Sequence, residues 1–174
     1  SGLRGMDIQN AACVVIDNRT QKVVAYIGSS DFYDVADGGQ VNGANAIRQP
    51  GSALKPLLYG LCIDQGLYTP KTVVSDVPIN IKGYRPENYD QTFKGPVTIT
   101  YALENSLNIP AVSALNTLGK DIMLNKLIGC GFKQIYRDKN KLGLSLILGG
   151  CGVTLEEMTG LFSTFAHHGN FYKP

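Results

Sequence analysis

No run of about 18 uninterrupted apolar residues, the length a helix needs to cross a bilayer, occurs in this chain. The opening Ser1-Gly2-Leu3-Arg4-Gly5 has no apolar core of the kind a signal peptide carries. The chain therefore reads as neither membrane-spanning nor self-exporting. Charge is scarce: Asp, Glu, Lys and Arg make up 17% of 174 residues, and 16 basic against 14 acidic residues leave +2. Binding to a phosphate backbone needs clustered cations, so this thin, scattered charge argues against a nucleic-acid partner. Metal-ligand spacing is lacking too. The cysteines, Cys13, Cys62, Cys130 and Cys151, show neither C-x-x-C nor a paired histidine, and no metal or cofactor is expected. They sit among small or apolar neighbours, as in Ala11-Ala12-Cys13-Val14 and Gly149-Gly150-Cys151-Gly152, where a thiol packs as a small core residue. Disulfide pairing stays open, since four cysteines allow three connectivities.

What is present suits one compact domain or most of one: 44% of the residues are hydrophobic, enough for a core. Glycine, at 20 residues, is above the usual share and suggests long shaped loops around rigid elements. Residues 11–17 and 22–27 are apolar, β-branched runs joined by Asn18-Arg19-Thr20-Gln21, which reads as a β-hairpin. Cys13-Val14-Val15-Ile16 is apolar on both parities, so the first strand is expected to be covered on both faces. Residues 28–51 form a long loop. Leu54, Leu57, Leu58, Leu61 and Cys62 recur at three and four, predicting a helix over 52–65 with Gly66 as its stop. From 67 to 96 no period is sustained, and only 77–82 reads as a short strand between prolines.

The last third reads as helical. A helix is expected to begin near Pro110, with proline at a first helical position, and to stop at Gly119. Another is expected over 121–128, closed by Gly129 and Gly131. Thr154 and Glu157 form a capping box for a final helix, with Leu155, Met158, Leu161, Phe162 and Phe165 on one face and Gly169 past its end. His167 and His168 fall in its last turn, where partial positive charge suits the helix dipole.

The strongest local signal is Gln49-Pro50-Gly51-Ser52-Ala53-Leu54-Lys55-Pro56. Ser52 and Lys55, three apart, share a helix face. Pro56 in a helix interior would delete the bond to the Ser52 carbonyl, so Ser52 belongs in the opening turn, at the positive end of the helix dipole. That field favours an alkoxide over an ammonium, and burial would lower the lysine pKa further, as a neutral base on serine requires. Downstream, Ser106-Leu107-Asn108 places a hydroxyl and a carboxamide on a short link between two predicted helices.

S-x-x-K followed by S-x-N is the signature of penicillin-binding proteins and serine β-lactamases. The chain resembles the first half or more of the transpeptidase domain of class A penicillin-binding proteins, most nearly the 1C type. Besides the two motifs, five segments carry the resemblance in order: the hairpin 10–20, Ala46-Ile47-Arg48-Gln49-Pro50-Gly51-Ser52, Tyr84-Arg85-Pro86-Glu87-Asn88-Tyr89-Asp90, Leu144-Ser145-Leu146-Ile147-Leu148-Gly149-Gly150, and Thr154-Leu155-Glu156-Glu157-Met158.

The resemblance implies an α+β penicillin-binding-protein/β-lactamase-like fold in which residues 1–174 are a partial transpeptidase domain, an N-terminal hairpin plus a helical lobe. It implies Ser52 as nucleophile, Lys55 as base, Ser106 as proton shuttle and Asn108 as holder of substrate and lysine. Tyr84, Asn88 and Tyr89 either line the substrate cleft or lock their loop by hydrogen bonds. The implied partners are peptidoglycan stem peptides and β-lactam antibiotics. The implied location is the outer, periplasmic face of a bacterial inner membrane, reached through a membrane segment outside this chain and beside a glycosyltransferase domain.

The family's third motif, K-T/S-G, does not occur: Lys71-Thr72-Val73 lacks the glycine and Lys141-Leu142-Gly143 the hydroxyl. Little or no acylation is therefore expected of these 174 residues alone. An unpartnered first strand would also invite pairing with a second copy. Two rival readings share the motifs. A serine β-lactamase-like hydrolase would turn a β-lactam over rapidly, and a non-catalytic peptidoglycan-binding or scaffold module would not be acylated at all.

Overall fold

The structure, a computed structural model, describes residues 4–173. Ser1, Gly2 and Leu3 of the opening segment, and Pro174, lie outside the described residues. Two compact units can be distinguished: one holds the chain up to Arg48 with Leu127–Gln134 and everything from Gly152 on, the other Gln49–Lys126 with Ile135–Cys151.

In the first unit, β1 (Cys13–Asp17) and β2 (Lys22–Ile27) form the expected antiparallel hairpin, with a bulge between Val15 and Ile16. The last helix, α6 (Leu155–Ala166), packs on β1 and carries the full capping box: Thr154 Oγ1 accepts from the Glu157 N–H, and Glu157 accepts from the Thr154 N–H. Two expectations about burial fail here. Cys13 and Val15 are exposed, so the first strand is not covered on both faces. On α6 the buried residues are Gly160, Leu161 and Thr164, while Leu155, Phe162 and Phe165 stay exposed. Apolar periodicity marks a face that can be buried. A two-stranded ribbon offers only limited area to bury it against. Cys13 is thus not a core residue, although Cys62, Cys130 and Cys151 are, and none of the four, all among the described residues, is in a disulfide. His167 caps the C-terminus of α6, its ring beside the Gln21 amide at 3.1 and 3.3 Å.

The second unit is mainly helical. A 3₁₀ turn, Gly51–Leu54, leads into α1 (Lys55–Asp64), where one α-helix over 52–65 was expected. Pro56 is the cause. It has no N–H for the Ser52 carbonyl, so the Lys55 N–H takes that carbonyl and closes a tighter turn. The strand expected at 77–82 lies instead at β3 (Val73–Asp76), paired antiparallel with β4 (Gly95–Thr98). β4 contains Pro96, tolerated because each strand of a two-stranded ribbon has a free edge. Next come α2 (Ile99–Glu104) and α3 (Asn108–Leu118), then α4 (Lys120–Gly129) and α5 (Lys133–Asp138), of which residues 127–134 belong to the first unit; α5 was not expected. Pro110 is the third residue of α3 rather than the first, still within the turn whose N–H groups lack intrahelical partners. A 3₁₀ segment, Leu144–Leu148, follows.

α3 is the hub of this unit. Ile109, Ala111, Val112, Ala114, Leu115 and Leu118 are all buried, and the helix packs on α1, β3 and the 144–148 segment. The segment through α1 contributes Leu54, Leu58 and Cys62 at 0% exposure. The candidate site is built on this rigid support.

Candidate active site

Three pieces of chain meet around one amine. The first is the 3₁₀ turn. At 3.0 residues per turn, side chains three apart eclipse, so Ser52 and Lys55 project in line from successive turns. Ser52 is half-buried and Lys55 is 1% exposed. A close backbone approach fixes this turn from behind. A Cβ on Gly149 would lie 2.6 Å from the Gly51 nitrogen and 2.7 Å from its Cα. Only glycine fits, and its positive φ of 93° adds a second reason. The Leu148-Gly149-Gly150 segment therefore acts as a backing plate for the turn that carries Ser52.

The second piece is the link between α2 and α3. α2 ends in a Schellman motif: the Leu107 N–H bonds the Ala102 carbonyl at 2.9 Å and the Ser106 N–H the Leu103 carbonyl at 3.0 Å. The residue in the left-handed position is Ser106, φ 51°, where glycine is commonest. For a residue with a Cβ this costs about 1–2 kcal/mol. The conformation turns both the Ser106 carbonyl and its hydroxyl toward Lys55. Lys55 Nζ donates to Ser106 O at 2.6 Å and to Ser106 Oγ at 3.2 Å. Its third donor goes to Asn108 Oδ1 at 2.8 Å. An ammonium has three donors, and all three are aimed at the S-x-N segment.

The third piece is the loop through Glu87 and Asn88. Asn108 Nδ2 donates to the Glu87 carbonyl and the Asn108 N–H to Asn88 Oδ1, each at 2.8 Å. Leu107, the N-cap of α3, has no side-chain oxygen, so Asn88 caps this helix from outside. Asn88, buried at 4% exposure, also donates to the Thr92 carbonyl at 2.9 Å. Tyr84 is half-buried with its backbone bridged to Ile81, and burial raises its hydroxyl pKa. Tyr89 is fully exposed.

Burial dominates the electrostatics. Desolvation pulls the Lys55 amine down to about 8, far enough for a neutral fraction near physiological pH. The buried Cys62 and Cys151 thiols go the other way, up to about 11, which leaves them protonated and unreactive. Among the described residues no group of three or more His, Cys, Asp or Glu could hold a metal ion. One residue of this array, Asp76, is absent from the motifs. It lies at 0% exposure at the end of β3 and binds Asn88 Nδ2 with both oxygens, at 2.8 and 2.9 Å. Its only sequence signal is a carboxylate at the edge of a proline-punctuated stretch.

An amine buried against a serine and an asparagine, one turn from a partly exposed serine, is the layout that the two motifs demand. The matching family model is the penicillin-binding protein transpeptidase domain, over residues 11–174, and the chain belongs to that family. It is 41% identical to penicillin-binding protein 1C of Escherichia coli (strain K12) over 158 residues, covering 91% of this chain and 20% of that protein. To penicillin-binding protein 1F of Bacillus subtilis (strain 168) it is 36% identical, covering 95% of this chain and 23% of the other. The crystal structure of penicillin-binding protein 1A from Haemophilus influenzae superposes with a TM-score of 0.78 at 28% identity, over 90% of this chain and 23% of that one. The fold is thus the α+β fold of penicillin-binding-protein transpeptidase domains. The chain spans about a fifth to a quarter of the length of the curated relatives it matches.

Proposed function

We propose that residues 1–174 are the N-terminal part of a serine DD-transpeptidase domain that cross-links peptidoglycan. The observation that carries this reading is the Lys55 amine, 1% exposed and held by Ser106 and Asn108 one turn after Ser52. Ser52 Oγ attacks the carbonyl carbon of the penultimate D-Ala of a stem peptide, and neutral Lys55 takes its proton. The backbone N–H of Ser52 is one donor to the oxyanion, a contribution of about 10²–10³ in rate. The tetrahedral intermediate collapses, the C–N bond breaks, and Ser106 passes a proton to the departing D-Ala amine. Asn108 holds the substrate amide. An amine of a neighbouring stem peptide then attacks the ester, forming the cross-link and returning the proton to Ser52.

A β-lactam ring enters the same first step and stays attached because its leaving amine remains tethered. The related fold of PonA1 from Mycobacterium tuberculosis, TM-score 0.79 at 20% identity, has been solved in complex with penicillin V. The whole protein sits at the periplasmic face of the inner membrane, anchored by a segment outside residues 1–174 and adjoining a glycosyltransferase domain. No helix among the described residues is long and apolar enough to cross a membrane. As an isolated chain, these residues pair through the free edge of β1 with a second copy. A monomer by light scattering over a wide concentration range contradicts that pairing.

The test is covalent labelling. Full-length protein incubated with fluorescent penicillin acquires a long-lived adduct on the peptide containing Ser52, and Ser52→Ala does not. Equal labelling of Ser52→Ala contradicts the assignment. Rapid turnover of nitrocefin with no lasting adduct favours the β-lactamase-like reading, and no labelling of any kind favours a non-catalytic module.

A further inference from the structure

The candidate site rests on a buried carboxylate that the proposed reaction does not use. Asp76 closes β3 with 0% exposure, and its partners are an amide and a backbone N–H. A carboxylate taken out of water is costly unless its lone pairs are engaged. Here Asn88 Nδ2 meets both oxygens and the Lys94 N–H meets Oδ2 at 2.9 Å.

The arrangement has a polarity. The Thr92 carbonyl only accepts, so the NH₂ end of Asn88 is the end that faces it at 2.9 Å and the Asp76 carboxyl beside it. That leaves Asn88 Oδ1 as the end that faces α3, where it accepts the Asn108 N–H. Asn108 in turn has its own NH₂ fixed on the Glu87 carbonyl, so its oxygen is the end presented to Lys55 Nζ. Each carboxamide has two possible flips, and each is decided by the group behind it.

We propose that Asp76 and Asn88 are positioning residues that fix the backbone of Asn108 at the start of α3 and, through it, the acceptor presented to the Lys55 amine. This rests on the transpeptidase reading for its catalytic consequence, though not for its geometry. Asn88 thus serves the site from beneath rather than by touching substrate. Asp76→Asn removes the acceptor-only anchor while keeping the shape. Asn88 then keeps the Thr92 carbonyl but loses the carboxylate that engages its NH₂ with both oxygens, and its hold on the Asn108 N–H loosens. Lys55 then loses a well-placed acceptor, a change that disfavours its charged form.

The test uses the full-length protein with Asp76→Asn, Asn88→Asp and the exchanged pair Asp76→Asn/Asn88→Asp. The exchanged pair has the wild-type charge, and the carboxylate it puts at position 88 can accept from the new carboxamide at position 76 and from the Asn108 N–H, while facing the Thr92 carbonyl without a donor just as in Asn88→Asp alone. Three readouts are taken: the thermal midpoint, the Nζ titration of Lys55 by NMR, and the acylation rate by penicillin from mass spectrometry of the Ser52 peptide. The expected result for folded Asp76→Asn is a Lys55 midpoint lower by about one pH unit and acylation slower by about tenfold to a hundredfold. The exchanged pair is expected to acylate at least about tenfold faster than Asn88→Asp alone.

A folded Asp76→Asn with an unmoved Lys55 midpoint and acylation within about threefold of wild type overturns the proposal. So does a folded exchanged pair with no recovery, or a set in which neither Asp76→Asn nor the pair folds, which makes the two residues structural only. If wild type itself is never acylated at Ser52, the transpeptidase reading fails and the Lys55 midpoints alone decide the brace.

Discussion

Leu58 on α1 and Ile109 on α3 are both at 0% exposure, whereas Val24 and Ile27 of β2 are 63% and 50% exposed. The residue types are nearly the same; the surroundings differ. In the helical unit, α3 is flanked by α1, β3 and the 144–148 segment, so apolar side chains are enclosed and a charged amine can be held at 1% exposure. In the hairpin unit, a two-stranded ribbon meets one helix, and much of the strands' apolar surface stays open. Rigid packing is a requirement of the polar site. Lys55, Ser106, Asn108, Asn88 and Asp76 are joined by bonds of 2.6–3.2 Å, and an array of that kind needs fixed backbones.

The largest expected effect strikes the helical unit at its amine. Lys55→Met lowers acylation of Ser52 by about 10²–10⁴-fold, measured by mass spectrometry, since proton abstraction is lost. It also changes the pH dependence of stability. The folded pKa near 8 lies below the ordinary value of 10.5, so the unfolded chain binds more protons between those limits. The Lys55 contribution to wild-type stability therefore rises with pH across that window, and is lowest below about 8. In Lys55→Met the rise is absent from denaturant titrations.

Next come core truncations that set the two units against each other. Leu58→Ala costs about 2–5 kcal/mol, while Ile27→Ala on the hairpin costs under about 1 kcal/mol, both read from denaturant unfolding. Equal costs would mean that the exposure difference has no energetic counterpart. Gly149→Ala is expected to destabilise by about 1–3 kcal/mol, through its positive φ and the clash with Gly51, and to slow acylation by displacing Ser52. The smallest effect has the opposite sign. Ser106→Gly relieves the left-handed strain and stabilises by up to about 1 kcal/mol, yet slows acylation because the hydroxyl is gone.

Legibility in the sequence followed locality. The hairpin, the capping box of α6 and the boundaries of α4 rest on residues within a few positions of one another. So does the constraint that Pro56 places on Ser52, and its consequence, a 3₁₀ turn, is one step beyond what spacing alone conveys. The β3–β4 pairing escaped because it joins residues roughly 20 apart through a proline-rich excursion, where neither strand has a period of its own. Asp76 escaped for a related reason. Nothing beside it in the chain indicates burial, and its partners Asn88 and Lys94 lie 12 and 18 residues on. Ser106 was legible as a motif residue but not as a strained one, since the left-handed end of a helix is normally announced by glycine. Exposure of Cys13, Val15 and Phe165 depends on what packs over them, which no window of sequence contains.

The proposed chemistry turns on Lys55 acting as a neutral base on Ser52. The direct measurement is the rate of penicillin acylation at Ser52 in the full-length protein across roughly pH 6 to 10, a range that brackets the Lys55 midpoint. A neutral base gives a rate that climbs about tenfold per pH unit below that midpoint and levels off above about 8. A rate that is flat across that range, with labelling still confined to Ser52, contradicts it.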